Sequence, residues 1–126
     1  MPIFSDSPKP QGGFELWSWV FMRTSGLLLL FLALGHLVIM HLINSIDVIN
    51  YDFVAARYQS LFWRGYDFLM LSLAMLHGLN GARIIIDDYI QKEPFRKLAM
   101  WALFIIGGIF ILLGIFVIIF FKAGSA

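Results

Sequence analysis

Two long stretches of this sequence contain no formally charged side chain. Arg23 and Asp47 bracket 23 such residues, and Lys97 and Lys122 bracket 24 more. Because about 20 apolar residues, rising about 1.5 Å each, cross the hydrocarbon core of a bilayer, each stretch is long enough to span it as a helix. Helices are the expected form because lipid offers no hydrogen bonds to open backbone groups. The sequence therefore predicts an α-helical membrane protein.

The composition excludes several other classes of protein. Hydrophobic residues make up 60% of the chain and charged residues 13%, against about 45–50% and about 25% in soluble domains. A soluble enzyme is therefore not expected. The net charge of +1 gives no basic field for a nucleic-acid partner. The absence of cysteine from the sequence excludes disulfides, thiol nucleophiles and iron–sulfur ligation by this chain.

A third span is predicted in the middle of the chain, although Asp67 and Arg83 leave only 15 uncharged residues between them. It forms if Arg64 and Asp67 lie near one interface and Arg83 lies near the other. The predicted fold is an all-α membrane protein of three transmembrane helices, part of a helix bundle completed by a partner subunit. The predicted segments are an arm over 1–15, spans over 16–43, 62–90 and 98–121, an outer loop over 44–61 with a short interfacial helix capped at Asp52, an inner loop over 91–97, and a tail over 122–126.

The distribution of lysine and arginine predicts the orientation of the chain. Six of the 9 lie on the side of the N-terminus and the second loop, and the other 3 lie on the opposite side. Because basic residues favour the cytoplasmic side of a membrane, we expect the N-terminus to be cytoplasmic and the C-terminus to be outside.

The three histidines, His36, His41 and His77, all lie inside predicted spans. Ionisable groups are rare in lipid and usually face a cavity, a partner or a cofactor. With no cysteine available, imidazole is the natural axial ligand for a haem buried between helices. Gly78 and Gly81 beside His77 would let a flat macrocycle approach the backbone. The alternative for His77 is an ordinary hydrogen bond between two helices.

Two criteria disagree over which histidine of the first span would bind haem iron. His41 shares a helix face with Arg23, but it lies about 27 Å along the axis, near the outer interface. His36 lies about 20 Å from Arg23, at a better buried depth, but it is rotated away from that face. We favour His36 for its depth and for Gly35 beside it, so the predicted ligands of haem iron are His77 and His36, and the choice against His41 stays open.

Three polar side chains at the cytoplasmic ends of the spans are candidates for a redox site. His77 and Asp88 are 11 residues apart and share a helix face, with a depth difference of about 16 Å. The Tyr89 hydroxyl could donate to a quinone carbonyl, although tyrosine is also common at membrane interfaces. The Arg23 guanidinium could bind a haem propionate or line a quinone pocket, or it could extend to lipid headgroups.

These motifs resemble those of a known family. The segment 76–83 (LHGLNGAR), followed by Asp88-Tyr89, resembles the H-x-x-x-G…D-Y stretch of the D-type membrane anchor of succinate dehydrogenase, respiratory complex II. Residues 22–26 (MRTSG) and 34–36 (LGH) also resemble the first helix of bacterial D-type anchors. The resemblance covers most of the chain from about Phe14 to Tyr89, and the third span matches it only in character.

The resemblance implies a three-helix subunit of the cell inner membrane that pairs with a C-type anchor subunit. Flavoprotein and iron–sulfur subunits would dock on its cytoplasmic side and pass electrons to quinone. The resemblance implies that His77 is an axial ligand of haem b, that Tyr89 binds quinone, that Asp88 supports that pocket, and that Arg23 lies near the quinone and the haem propionates. Because the one-haem anchors of this family need no histidine in the first helix, His36 and His41 suggest a two-haem type.

Two other functions remain open on the sequence alone. The chain could be a structural anchor or assembly subunit without a cofactor, in which the histidines bond between helices and Arg83 pairs with Asp87. It could also be a proton-conducting subunit that uses Asp88 and the histidines as relays. The proton-conducting function requires a continuous polar track, to which the third span contributes no ionisable residue.

Overall fold

The computed structural model describes residues 12–122, and these residues are almost entirely helical. The elements in chain order are α1 (Gly13–Leu37), which continues directly into a π-helical turn (Val38–Ile43), a 3₁₀ turn (Ile46–Val48), α2 (Tyr51–Arg57), α3 (Leu61–Tyr89) and α4 (Glu93–Phe120). No strand occurs within 12–122. The predicted all-α fold is confirmed.

Three of these helices are long and apolar enough to cross a membrane. They cover Gly13–Ile43, Leu61–Tyr89 and Glu93–Phe120, and the shortest has 28 residues. At about 1.5 Å per residue each is longer than the roughly 30 Å hydrocarbon core, so its ends reach the headgroup regions. The chain is a multi-pass membrane protein with three spans.

The helix ends differ in places from the segments predicted from sequence. Where a loop is predicted over 91–97, α4 already begins at Glu93 and Pro94 lies in its first turn. Proline suits that position because the first N–H groups of a helix have no intrahelical partner. The predicted N-cap of α2 is corrected, because Asn50 rather than Asp52 accepts the capping bond, from the Phe53 N–H at 3.0 Å. Residues 1–11 of the predicted arm and 123–126 of the predicted tail lie outside the described residues.

The middle span, α3, packs against both α1 and α4. Contact with α4 depends on two glycines seven residues apart on one face of that helix. A Cβ atom built on Gly107 would overlap the Leu79 side chain, and one built on Gly114 would lie 2.5 Å from Leu71 Cδ2. These two leucines therefore fill the space that the glycines leave, which explains how α4 packs on α3 although its residues 98–120 contain no ionisable side chain.

We expect Gly107→Ala to weaken the packing of α3 on α4. The added methyl group would meet three atoms of Leu79, and overpacking of this kind costs about 1–3 kcal/mol. Gly108→Ala is the matched control, since nothing lies within 4 Å of a Cβ at Gly108. The thermal midpoint of the detergent-solubilised complex should fall for Gly107→Ala only. Equal midpoints for the two variants would contradict this packing.

The C-terminal end of α4 is bound by the side chain of Arg64, near the start of α3. Arg64 Nη1 donates to the carbonyls of Ile118 at 2.7 Å and Ile119 at 3.2 Å, and Nη2 donates to the Phe121 carbonyl at 2.6 Å. Its Nε donates to the Tyr58 carbonyl. Because the last carbonyls of a helix have no intrahelical partner, this one guanidinium completes the end of α4.

Polar side chains are buried inside this bundle, while apolar ones cover its outside. Ser18 is 7% exposed and Ser25 is 1% exposed, whereas Leu112 and Phe116 on α4 are 69% and 60% exposed. A lipid-facing surface accounts for the apolar exterior. The chemistry of the chain therefore lies at the contacts between its helices.

Candidate functional site

His77 lies near the middle of α3 and is bound by a side chain of α1. Its Nδ1 lies 2.8 Å from Ser25 Oγ, and Ser25 Oγ lies 2.5 Å from the carbonyl oxygen of Phe21. The His77 side chain is half-buried, and within residues 12–122 its second ring nitrogen, Nε2, has no hydrogen-bond partner. The ring is thus held through one nitrogen, and the other is available to a ligand.

The glycines near His77 have different surroundings. A Cβ atom on Gly26 of α1 would lie 3.3 Å from His77 Cε1, so this glycine lets the imidazole lie close to the α1 backbone. A Cβ on Gly81 would contact Met22 at 3.4 Å, which is ordinary helix packing. Nothing lies within 4 Å of a Cβ on Gly78. The surface beside His77 is therefore open at Gly78 and occupied at Gly81.

The contacts of the His77 ring fit those expected of a histidine that binds haem iron. A ligating histidine generally donates its other ring N–H to an oxygen atom, which fixes the ring orientation. Ser25 provides such an oxygen, and Nε2 has no partner within the described part of the chain. Among the three histidines, His77 is the one whose described contacts match those of a ligating imidazole.

His36 and His41 lie in different surroundings from His77 and from each other. His36 lines a cavity of about 600 Å³ between α1, α3 and α4, together with Tyr58 and Asp67. Its Nδ1 is buried and has no hydrogen-bond partner within 12–122. His41 is exposed on the π-helical turn. His36 therefore lacks the oxygen partner at Nδ1 that Ser25 provides to His77.

The two half-buried histidines, His36 and His77, lie at different depths along the bundle. His77 lies level with Ser25 on α1, and His36 lies eleven residues further along the same helix, which is about 16 Å. Two nitrogen atoms that bind the same iron must each lie within a bond length of it, which a separation of about 16 Å along the bundle does not allow. His77 and His36 therefore cannot bind the same haem.

The three candidate quinone residues are accessible but are not joined to one another. The Arg23 guanidinium stacks on the Trp19 ring, 3.6 Å from its centroid, and Nη1 donates to the Trp19 carbonyl at 3.4 Å. Tyr89, the last residue of α3, is 81% exposed, and Asp88 is also exposed. Among residues 12–122, no hydrogen bond or ion pair joins Arg23 to Asp88 or Tyr89.

A polar network at the same end of the bundle was not found from sequence. Asn80 Nδ2 donates to Ser18 Oγ at 2.7 Å, and Arg83 Nη2 donates to the same oxygen at 3.4 Å. Arg83 also forms ion pairs with Glu15 at 3.4 Å and, as expected from their spacing, with Asp87 at 3.8 Å. This network joins α1 to α3 and compensates the charge of an arginine that is only 17% exposed.

A second polar cluster lies at the opposite end of the bundle. The Arg57 guanidinium forms an ion pair with Asp67 at 3.0 Å and stacks over Trp63, 4.1 Å from the ring centroid. Burial, together with the nearby Asp67 carboxylate, raises the pKa of Tyr58. The cluster compensates the cost of an aspartate placed inside the second span.

These features define a class of protein: a multi-pass membrane subunit whose polar side chains meet between its helices. The family of the succinate dehydrogenase/fumarate reductase transmembrane subunit matches residues 7–116, and the chain belongs to that family. Over 99 residues, which are 78% of this chain and 70% of the relative, it is 29% identical to the succinate dehydrogenase 2 membrane subunit SdhC of Mycobacterium tuberculosis (strain ATCC 25618 / H37Rv). The chain is a membrane subunit of succinate dehydrogenase/fumarate reductase and works in a complex with other subunits.

Proposed function

We propose that this subunit binds haem b through His77 and forms part of a quinone site, so that electrons pass from an iron–sulfur subunit to quinone. The observation that carries the proposal is the His77 side chain, which is held at Nδ1 by Ser25 and has no partner at Nε2 among residues 12–122. Haem bound there would supply an iron that changes its charge by one electron. The chain's own residues would hold that iron at the depth of the bilayer centre.

The second ligand of this haem would come from a partner subunit. No other histidine of this chain lies level with His77, because His36 is about 16 Å away along the bundle and His41 is further still. A C-type anchor subunit facing Gly78 and the open surface of α3 would complete the site. The D-type assignment of this chain stays a prediction from its motifs, and the curated relative is named SdhC.

The proposed orientation places the N-terminus, and with it Asp88 and Tyr89, on the cytoplasmic side of the inner membrane. Six of the nine lysines and arginines support it through the preference of basic residues for that side. The iron–sulfur and flavoprotein subunits would dock there. The exposed side chains of Asp88 and Tyr89 are then free to meet a quinone that lies between this chain and its partners.

We expect Tyr89→Phe to slow quinone reduction and to leave the haem content unchanged. The substitution removes only a hydroxyl, and one lost hydrogen bond of about 0.5–1.5 kcal/mol corresponds to a rate decrease of about 2- to 12-fold. Quinone reduction by the intact complex measures this effect, and Tyr51→Phe at the opposite end is the control. Wild-type quinone kinetics in Tyr89→Phe would remove Tyr89 from the site.

The proposal that His36 binds a second haem has its own test. His36→Ala and His41→Ala should be compared in the intact complex by haem content per flavin. We expect His36→Ala to lose the second haem and His41→Ala to keep it, since His36 lines a cavity between the helices and His41 is exposed. If both variants keep the full haem content, neither histidine is a ligand.

A second candidate function is a structural anchor without a cofactor. The bond between His77 and Ser25 joins two spans and would serve that role by itself. A reduced-minus-oxidised absorption spectrum of the purified complex separates the two functions. The haem proposal predicts b-type bands, with at least one haem per flavin. A complex that is fully assembled and lacks these bands would be the structural anchor.

A further inference from the structure

We propose that Ser25 is a positioning residue that fixes the tautomer of His77 and thereby selects Nε2 as the atom that binds iron. This inference rests on the proposed haem function. It goes beyond that function because it assigns a role to a side chain of the first span that binds neither haem nor quinone.

Ser25 Oγ carries a single hydrogen and has two neighbours that could take it. The Phe21 carbonyl oxygen lies at 2.5 Å, and His77 Nδ1 lies at 2.8 Å. A carbonyl oxygen can only accept, so the hydroxyl must donate to Phe21 for that short contact to be favourable. The lone pairs of Ser25 then face Nδ1. His77 must therefore carry its hydrogen on Nδ1 and donate it to Ser25, which leaves a lone pair on Nε2.

The other tautomer of His77, with its hydrogen on Nε2, is disfavoured because no other described group donates to Nδ1. With Nδ1 unprotonated, lone pairs of Nδ1 and Ser25 would face each other at 2.8 Å, unless the hydroxyl abandoned the Phe21 carbonyl. Ser25 is 1% exposed, so water cannot bridge the pair. The close approach of the ring to Gly26, 3.3 Å from Cε1 to a built Cβ, also limits its rotation. The orientation of His77 is thus set by α1 before any haem binds.

His36 provides a comparison within the same chain. Its Nδ1 is also buried, but no oxygen accepts from it within the described residues. A buried N–H without an acceptor is costly, so nothing in the described part of the chain holds the hydrogen of His36 on Nδ1. Ser25 therefore fixes for His77 a tautomer that the described residues leave unset for His36.

The hydrogen bond from His77 Nδ1 to Ser25 would also affect the redox behaviour of the iron. Donation from Nδ1 to an oxygen raises the basicity of the ligating nitrogen, and a more basic ligand favours ferric iron over ferrous iron. Removing the acceptor should therefore shift the haem toward the ferrous form. The bond is present in both oxidation states, and only its difference in strength between them changes the ratio. A neutral hydrogen bond of about 0.5–1.5 kcal/mol therefore sets an upper limit of about 2- to 12-fold on the decrease in the ferric-to-ferrous ratio at a fixed potential.

The test compares substitutions at Ser25 with one at its neighbour in the intact complex. Ser25→Ala removes the acceptor, Ser25→Cys keeps a similar volume with a weak sulfur acceptor, and Ser25→Thr keeps the hydroxyl. Thr24→Ala is the matched control, because Thr24 also carries a hydroxyl but is exposed. The readouts are the haem content, the ferric-to-ferrous ratio in a redox titration, and the electron paramagnetic resonance spectrum of the ferric haem.

We expect Ser25→Ala to lower the ferric-to-ferrous ratio within that limit, or to lose the haem of an assembled complex, and to change the resonance spectrum. Ser25→Cys should change the same quantities in the same direction by less, and it decides the test if Ser25→Ala does not assemble. Ser25→Thr and Thr24→Ala should match the wild type.

Two negative results have different meanings. If the wild-type complex holds haem, and Ser25→Ala and Ser25→Cys both match it in titration and spectrum, Ser25 has no positioning role and the inference is overturned while the haem proposal stands. If the wild-type complex holds no haem, the proposed function fails first, and this inference fails with it.

Discussion

Replacing His77 by alanine is expected to remove one haem from the purified complex while the subunits still assemble. Among the described residues at that depth, His77 Nε2 is the nitrogen available to iron, and the variant lacks it. The haem content should therefore fall by about tenfold or more, since even the loss of a residue that only bonds to a ligand costs about tenfold. The bundle should tolerate the change. Ser25 keeps its donor bond to the Phe21 carbonyl, so no buried N–H or O–H is left unpaired.

The absorption spectrum and the iron-to-flavin ratio of the purified complex measure this prediction. His41→Ala is the matched control, because it removes an imidazole that is exposed on the π-helical turn of α1. Haem should be retained in the control and lost in His77→Ala. A His77→Ala complex with the wild-type haem content would remove His77 from the set of ligands.

Replacing Arg64 by methionine is expected to release the C-terminal end of α4 and to destabilise the complex by about 2–4 kcal/mol. The substitution leaves the carbonyls of Ile118, Ile119 and Phe121 without the donor that binds them. Each unsatisfied carbonyl costs about 1–3 kcal/mol where water is excluded and less where water reaches it. The positive charge also interacts favourably with the negative end of the α4 dipole.

The thermal midpoint of the solubilised complex and the amount of assembled complex in membranes report this loss. Lys122→Met is the control at the same end, since it removes a cation that forms no hydrogen bond or ion pair within the described residues. Arg64→Lys should recover only part of the stability, because an ammonium group cannot match the planar arrangement of guanidinium donors. Wild-type stability of Arg64→Met would show that α4 is held by other contacts.

The three spans could be predicted from sequence because the bilayer imposes their length and their lack of charge. The early start of α4 at Glu93 could not, because Pro94 is compatible both with a loop and with the first turn of a helix. The cap of α2 was ambiguous for a similar reason, since Asn50 and Asp52 are both common N-cap residues. Such local ambiguities are decided by how the flanking chain packs.

The side chains that contact the candidate site residues could not be predicted from sequence, because these contacts depend on how the helices are rotated against each other. His77 is a candidate on sequence alone because histidine is rare in a membrane span. Ser25, 52 residues away, carries no such signal because serine is a common residue in a helix. The one available signal was that Ser18 and Ser25 lie seven residues apart and share the face of α1 that meets α3. Arg64 likewise binds carbonyls 54 to 57 residues away, which no local pattern reveals.

An experimental density map of the whole complex, purified with its partner subunits, tests the central claim most directly. It should show a porphyrin iron coordinated by Nε2 of His77, with Nδ1 of the same ring donating to Ser25. A map in which the His77 ring contacts Ser25 but Nε2 meets only lipid or apolar side chains would contradict the account.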